Sequence, residues 1–458
     1  MMSPGRIWSS GGLVLRRFHG CHAKSDAGLG MLRRLAPDIF PLVLLLFGIL
    51  IPCGGAHAQT KNTCLDCHSQ LDPPLLVSAA DYTDSIHAQK GLTCVSCHGG
   101  DPSSDDPNRA MSKAAGFRGE PQRNLIPEFC SKCHSDAAYM RGFDPSLRTD
   151  QYSQYQSSVH GKLHAKGDAK TAVCIDCHGV HDIQPPNDQR SRVHPLNVAQ
   201  TCSHCHANTE YMKSYGIATN QFAEYSASVH HDALAVRGDL NAPTCSTCHG
   251  SHGAAPPGVA SVARVCSTCH VFQAQLFDSG PHKDVFTTMG LPACVTCHSN
   301  HRIQHPTDAM IGTAKGSVCL NCHVEGDAGY LAAAAMHDDL AKLDSASARS
   351  DDILDRAERS GMEIGEAKLA EAEARDDLTK ARVEIHSVEP ATVDGDINAG
   401  LKVAASTYQA GQNALAELRY RRKGLLVSVV IIVFVLIGLF LTIRNLESKD
   451  SRQTRGKS

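Results

Sequence analysis

Two uninterrupted apolar segments lie near the ends of the chain. The first, residues 39–51, follows two arginines and precedes the small residues Ala56 and Ala58. A basic, then apolar, then small-residue order is typical of a secretory signal. We therefore expect residues 1–58 to be a leader and the mature protein to begin at Gln59, outside the cytoplasm.

Two alternatives concern this leader. Translation from Met31 would give a signal of ordinary length, because thirty residues precede it. Cys53 raises the possibility of a lipoprotein, although Pro52 directly before it fits that class poorly.

The second apolar segment, residues 425–443, holds nineteen residues without a charge. At 1.5 Å per residue it reaches about 28 Å, enough for a bilayer core. We predict a transmembrane helix at 424–443, since no apolar partner segment exists to bury it as a core helix. Basic residues flank both sides, so the leader decides orientation. Residues 444–458 are then a cytoplasmic tail, and the protein is a single-pass protein of the inner membrane.

Between the last cysteine and this segment the composition shifts to Ala, Asp, Glu, Lys and Leu. Leu340, Leu343 and Leu354 follow helical spacing, which predicts one helix over residues 331–388, a break at 390–400 and a second helix that continues into the membrane. Residues 331–423 thus form a helical hairpin stalk. Its narrow apolar stripe fits intramolecular packing, dimerisation or partner contact equally well.

Composition points to a bound group. The chain has 20 cysteines, 26 histidines and only 5% aromatic residues, so side chains alone fill a core poorly. Its net charge of −3 offers no basic field for nucleic acid, and we expect no nucleic-acid partner.

Eighteen cysteines form nine copies of Cys-x-x-Cys-His, the spacing for c-type haem attachment. Two thiols bind the haem vinyl groups, and the histidine ligates the iron. We expect nine covalent haem c groups. The thioether candidates are Cys64, Cys67, Cys94, Cys97, Cys130, Cys133, Cys174, Cys177, Cys202, Cys205, Cys245, Cys248, Cys266, Cys269, Cys294, Cys297, Cys319 and Cys322. The proximal candidates are His68, His98, His134, His178, His206, His249, His270, His298 and His323.

Three other uses of these cysteines account less well for the repeated Cys-x-x-Cys-His pattern. Structural zinc and disulfides leave the nine adjacent histidines without a reason. A thioredoxin-like site needs one cysteine pair near a βαβ pattern.

Residues 59–330 provide about thirty residues per haem, too few to enclose each one separately. The haems must therefore pack against one another. We predict a mainly α fold with much irregular loop: a haem-packed domain, then the stalk and the transmembrane helix.

A repeat that occurs four times supplies sixth ligands. In each repeat an aromatic residue stands five positions before a histidine, and two Cys-x-x-Cys-His motifs follow. Three of the repeats contain one more histidine, called the added histidine below, which stands three residues after the histidine of the first motif. The distal candidates are His87, His160, His181, His230, His252, His282 and His301. Bis-imidazole coordination needs one such histidine per iron.

Two irons remain without an assigned sixth ligand. The first repeat has Asp101 where the added histidine is expected, and the site at Cys64 lies outside any repeat. The remaining candidates are His164, His194, His204, His231, His305, His337 and His386, with Met111, Met140, Met212 and Met336 as sulfur alternatives.

These motifs resemble those of bacterial periplasmic multihaem c-type cytochromes, many of which use an upstream Ser-x-His as distal ligand. Here Ser85, Ser158 and Ser228 each stand two residues before a candidate histidine. The resemblance covers residues 64–330. It implies electron transfer along a chain of haems, between a quinol-oxidising membrane partner and a terminal reductase or a metal-reducing pathway. The long C-terminal helices resemble those with which reductases of the family dimerise.

Two functions follow from these expectations. In an electron carrier every iron has two protein ligands, and no catalytic residue is assigned. In a reductase acting on nitrite, hydroxylamine or tetrathionate, one iron keeps an open position. All nine motifs end in histidine, which favours the carrier, because the resemblance implies a lysine-ending motif in ammonia-forming nitrite reductases. The segment 425–443 has no histidine to hold a b-type haem, so we expect a separate membrane subunit to oxidise quinol.

Overall fold

Helices and irregular loops make up the described chain. A computed structural model describes residues 62–256 and 264–455. Within these ranges there is no strand, which confirms the predicted mainly helical class with much irregular loop. The predicted leader, residues 1–58, lies outside the described residues.

The cysteine-containing part, residues 62–327, consists of short helices that seldom exceed three turns. Pro and Gly interrupt them frequently, and most of the glycines with positive φ lie in this part. Its α-helices are α1 (Thr63–His68), α2 (Ala79–Asp84), α3 (Ile86–Gln89), α4 (Cys94–His98), α5 (Pro107–Ala110), α6 (Ile126–His134), α7 (Ala137–Arg141), α8 (Gln151–Ser157), α9 (Val159–Ala165), α10 (Cys174–His178), α11 (Pro195–His206), α12 (Thr209–Met212), α13 (Gln221–Ser226), α14 (Val229–His231), α15 (Cys245–His249), α16 (Val271–Ser279), α17 (His282–Met289) and α18 (Val295–His298).

Successive repeats are joined by a recurring main-chain hydrogen bond. In three repeats the middle residue of Ser-x-His donates its main-chain N–H to a carbonyl oxygen of the next repeat. That carbonyl lies five residues after the histidine of the next repeat's first Cys-x-x-Cys-His motif. These bonds are Ile86 N to Ile183 O at 2.8 Å, Val159 N to Ala254 O at 3.0 Å and Val229 N to Ile303 O at 2.9 Å. Each of the first three repeats is therefore completed by its successor.

The stalk contains three helices instead of the predicted two. They are α19 (Ala328–Arg359), α20 (Gly365–Glu384) and α21 (Pro390–Arg455), with a 3₁₀ turn, Ile385–Ser387, between the last two. The predicted unbroken helix over 331–388 is wrong, because Gly361 adopts φ +80° after α19 and reverses the chain. The predicted break at 390–400 is also wrong, because Pro390 stands in the first turn of α21, where its missing N–H costs nothing.

The three stalk helices pack around an apolar core. Its upper cluster contains Met336, Leu340, Leu343, Leu378, Ala381, Val393 and Ile397. The lower cluster contains Leu354, Ala357 and Ile364. Between them lies a buried polar layer, in which Thr407 Oγ1 donates to Glu371 Oε2 at 2.9 Å and lies 2.7 Å from Ser350 Oγ. The apolar stripe predicted on α19 is therefore used within the chain.

The upper end of the stalk is joined to the cysteine-containing part. Arg382 on α20 donates two hydrogen bonds to Asp308, from Nε at 2.9 Å and from Nη2 at 2.7 Å. This bidentate pair raises the pKa of the Arg382 guanidinium. Ile311, in the same loop, packs against the upper apolar cluster.

Helix α21 continues beyond the bundle as an exposed apolar rod. By length and composition it is the one described helix suited to cross a membrane: an 18-residue window has a mean hydropathy of 3.2, and the protein buries none of it. This agrees with the span predicted at residues 424–443.

Candidate haem sites

Seven of the nine Cys-x-x-Cys-His motifs fall into two backbone classes, set by the residue that follows the histidine. In the first site of each repeat, the residue after the histidine has positive φ: Gly99 at +70°, Gly179 at +79°, Gly250 at +85° and Ser299 at +67°. In the second sites of the first two repeats, Ser135 and Ala207 keep right-handed helical geometry. Ser69, after the leading motif, shares that geometry, so the leading motif has the backbone of a second site.

The first cysteines of neighbouring motifs meet in pairs. The thiol of Cys64 lies beside that of Cys94, Cys130 beside Cys174, Cys202 beside Cys245 and Cys266 beside Cys294. The second cysteines continue the series, since Cys97 interacts with Cys133, Cys177 with Cys205, Cys248 with Cys269 and Cys297 with Cys322. The nine motifs therefore lie next to one another in the order of the sequence.

Several motif histidines are oriented through their Nδ1 atoms. His68 Nδ1 lies 2.9 Å from Leu75 O, His98 Nδ1 3.0 Å from Gly119 O and His249 Nδ1 3.1 Å from Ala255 O. A carbonyl oxygen can only accept, so Nδ1 carries the proton and Nε2 keeps its lone pair. That tautomer leaves Nε2 available to a metal.

Eight motif histidines face a second histidine ring. The ring centroids are 5.9–6.4 Å apart in all eight pairs. The pairs are His98 with His181, His134 with His87, His178 with His252, His206 with His160, His249 with His301, His270 with His230, His298 with His386, and His323 with His282.

This spacing suits one metal ion between two imidazoles. Metal–nitrogen bonds of about 2 Å on each side, plus the distance from each nitrogen to its ring centre, sum to about 6.3 Å. Direct aromatic packing also allows such separations. However, ring-centroid separations in direct aromatic packing cover a wide range, whereas the eight pairs share one narrow separation, and every pair includes the histidine of a Cys-x-x-Cys-His motif.

The pairs follow a rule that the sequence did not reveal. The Ser-x-His histidine of a repeat faces the second motif of the same repeat, as His160 faces His206. The added histidine faces the first motif of the preceding repeat, as His252 faces His178. All seven predicted distal candidates obey this rule, with His282 taking the Ser-x-His role in the fourth repeat although Gly280 stands in place of the serine. Each of the last three repeats places one ring in its predecessor.

The rule explains Asp101. The motif before the first repeat has the backbone of a second site, so the described chain contains no preceding first site for position 101 to face. Asp101 instead accepts hydrogen bonds from the N–H and hydroxyl of Ser103 at 3.0 and 2.6 Å.

The serine of Ser-x-His is a helix cap. Ser158 Oγ accepts a 2.9 Å hydrogen bond from Gly161 N and donates one of 2.6 Å to Tyr155 O. Ser85 and Ser228 cap α3 and α14 in the same way. A buried N-cap sets the direction of a short helix. The motif therefore orients the histidine that stands in its first turn.

The aromatic residue of the repeat ties this cap to the next motif. Tyr82, Tyr155 and Tyr225 each donate the phenol O–H to the carbonyl two residues before the first cysteine of their repeat, namely to Leu92 at 2.8 Å, Ala172 at 3.0 Å and Pro243 at 3.0 Å. Phe277 fills the position in the fourth repeat without that bond. The tyrosine thus fixes the distance between the histidine-bearing helix and its haem motif.

Of the two sixth ligands left open, one candidate has a partner. His386, in the 3₁₀ turn of the stalk, faces His298. The ring of His68 faces no histidine ring within residues 62–256 and 264–448.

Several other candidates have packing or hydrogen-bonding roles. His194 is buried and caps α11, and His164 Nε2 lies 3.0 Å from Asn124 O. His231 packs edge-on against Tyr225. Met140, Met212 and Met336 are buried side chains, and Met336 belongs to the stalk core.

Burial keeps most of the paired imidazoles neutral. It lowers the pKa of eleven of them, and for His178 to about 4, with the facing ring of His252 as a further cause. The others are His87, His134, His160, His181, His206, His230, His252, His282, His298 and His301. A neutral imidazole is the form that ligates iron.

The donor set fits haem better than a bare metal. In the described residues no three His, Cys, Asp or Glu side chains converge to hold an ion. Structural zinc needs four protein donors, whereas haem supplies four nitrogens and requires two axial ligands. One thiol pair and one facing pair of imidazoles per motif match haem c.

Comparisons with known proteins agree with this chemistry. Residues 86–207 match the family described as Cytochrome c3. A C-type polyheme cytochrome, OmcC of Geobacter sulfurreducens, is 27% identical over 127 residues. That alignment covers 27% of this chain and 15% of the relative. No solved structure matches. These similarities support a multihaem c-type cytochrome that carries covalent haem c and transfers electrons.

Proposed function

We propose that the protein is a membrane-anchored, extracytoplasmic cytochrome with nine c-type haems that carries electrons between partner proteins. Each haem, when bound, stores one electron by cycling its iron between two oxidation states. The protein provides the thioether cysteines, the axial histidines and the order of the sites.

One observation carries this proposal: the motifs lie in an unbroken series, with eight facing pairs of imidazoles. Neighbouring thiols meet from Cys64 to Cys322, so attached haems would be adjacent along the whole domain. Two imidazoles on an iron leave no position for substrate, which suits a carrier.

Intact-mass analysis and a redox titration of the purified protein test the proposal. We expect the mass of nine attached porphyrins on a chain that begins at Gln59. Stepwise reduction should then give low-spin spectra at potentials typical of bis-histidine haem. A chain without added porphyrin mass would refute the function.

The anchor suggests how electrons arrive. At 1.5 Å per residue, about 50 Å of α21 separates Pro390 from residue 425. A single helix cannot enclose a quinone, so the proposed donor is a quinol-oxidising membrane subunit that reaches above the bilayer. The proposed acceptor is a terminal reductase or a metal-reducing pathway.

Reduction by a quinol analogue tests the need for that subunit. We expect fast reduction in membranes and slow reduction of the purified protein, with dithionite as the control for redox competence. Equal rates would show that the protein oxidises quinol unaided. Fractionation of cells should place it in the inner membrane.

A reductase is the second candidate, and His68 favours it. Its Nδ1 is hydrogen-bonded to Leu75 O, as those of His98 and His249 are to their carbonyls, yet no described histidine ring faces it. Binding of carbon monoxide to the reduced native protein discriminates the two functions. Binding by one ninth of the haem supports a reductase of the nitrite, hydroxylamine or tetrathionate type. Absence of binding supports the electron carrier.

A further inference from the structure

His386 occupies a turn that presents its ring to a haem motif. The ring centroid lies 6.0 Å from that of His298, and the planes are inclined by 21°. Its Nδ1 lies 2.7 Å from Val383 O. Because that carbonyl can only accept, Nδ1 carries the proton and Nε2 has a free lone pair.

The backbone around this turn is strained. Val388, two residues later, adopts φ +54° and ψ +26°, a left-handed conformation that β-branched residues avoid. Such strain persists where the surroundings hold it in place, and it occurs preferentially at functional positions. Here it allows α20 to end, the turn to project His386 and α21 to begin within a few residues.

The turn also packs directly on the fourth repeat. A Cβ at Gly280 would collide with the carbonyl oxygen of Ser387, so this contact requires glycine. Gly280 stands two residues before His282, at the position that Ser85, Ser158 and Ser228 occupy in the other repeats. The stalk backbone therefore approaches the place where those repeats have their capping serine.

Sequence changes in the fourth repeat match this contact. In the first three repeats the residue before the Ser-x-His histidine donates its N–H to the following repeat, as Val229 donates to Ile303. Pro281 takes that position in the fourth repeat and has no N–H to donate. In place of a following repeat, the stalk packs against the fourth repeat.

We propose that His386 is the distal axial ligand of the haem held by Cys294, Cys297 and His298, so that the stalk completes a redox centre. This inference rests on the proposed function. His386 takes the role that His181, His252 and His301 have for the three earlier first sites. The stalk is then a ligand donor as well as a support, and displacing the turn opens the coordination of one iron.

Substitution of His386 in the full-length protein with its haems attached tests the proposal. The variant His386→Ala should shift one ninth of the haem from low spin to high spin. It should also bind one carbon monoxide per molecule more than the native protein after reduction. Added imidazole should restore the low-spin spectrum, which a merely structural role would not allow.

His337→Ala is the matched control, because Nδ1 of this stalk histidine lies 3.4 Å from the Asp338 carboxylate and its ring faces no histidine ring of the described residues. Its spectrum and carbon monoxide capacity should equal those of the native protein. A second variant, Gly280→Ala, keeps every histidine but displaces Ser387. Gly280→Ala should show the same high-spin signal with a smaller amplitude. If His386→Ala does not fold, this variant tests the ligation by His386.

The outcomes separate this inference from the proposed function. Nine attached haems with native spin state and carbon monoxide capacity in both His386→Ala and Gly280→Ala would overturn the inference and leave the electron carrier intact. A native protein without covalent haem would refute the proposed function instead.

Discussion

Val159 donates its main-chain N–H to the carbonyl oxygen of Ala254, 3.0 Å away. The bond joins the start of α9, which presents His160, to the loop that presents His252 in the next repeat. One backbone contact thus positions two imidazoles that face different motifs. The same arrangement recurs at Ile86 and Val229, so the repeats interlock instead of forming separate two-haem modules.

The capping serine is expected to stabilise the domain. Ser158→Ala removes the acceptor of Gly161 N, and buried N-caps contribute about 1 kcal/mol. Denaturant unfolding should show a loss of that size. The control is Ser157→Ala, because Ser157 is exposed and its hydroxyl donates only to a carbonyl of its own helix. Equal stability of the two variants would contradict the cap assignment.

Tyr225 should make the protein sensitive to alkali. Burial raises the pKa of its phenol from 10 to about 12, so the unfolded chain loses this proton first as pH rises. Stability contributed by the neutral phenol is present below pH 10 and is lost as pH approaches 12. Tyr225→Phe should reduce this alkaline loss. At neutral pH it should cost about 1 kcal/mol, because the Pro243 carbonyl loses its donor.

Measuring unfolding of both proteins from pH 8 to pH 12 checks this prediction. Phe277→Tyr is a useful comparison, since the fourth repeat has no phenol at this position. An unchanged alkaline slope in Tyr225→Phe would show that other groups cause it.

Ser299 offers a stabilising substitution. It has φ +67°, where the other three first sites have glycine. Ser299→Gly relieves a positive-φ conformation with ψ −177°, which only glycine adopts readily and which costs about 1–3 kcal/mol; the entropy of glycine in the unfolded chain offsets part of this gain. We expect a net gain of roughly 0.5–1 kcal/mol by thermal unfolding.

The matched control for that substitution is Ser135→Gly. Ser135 follows a second-site histidine in right-handed helical geometry, so glycine brings no relief there. This variant should be less stable than the native protein. A gain in both variants would mean that backbone class has no influence.

The stalk core is expected to hold its three helices together. Leu340 is completely buried, and Leu340→Ala should cost about 2–5 kcal/mol. Far-UV circular dichroism during heating should show earlier loss of helix. Leu369→Ala is the control, since Leu369 is 74% exposed and its truncation leaves no cavity. Equal melting of the two would argue against the three-helix bundle.

The sequence by itself identified the haem chemistry, because covalent attachment needs two cysteines and a histidine at fixed local spacing. It also identified the seven repeated distal candidates through their motif. The apolar segment at residues 425–443 was equally plain, since length and hydropathy are local properties. Among the stalk features, the apolar stripe on α19 could be predicted, but the number of helices could not.

Only the tertiary structure decided which histidines face each other. His252 faces His178 and not His249, its near neighbour in sequence, because the loop of one repeat folds back onto the preceding repeat. It also singled out His386 from seven equivalent candidates, and placed the chain reversals at Gly361 and Val388. Such choices depend on contacts between distant segments, and no local spacing of residues encodes them.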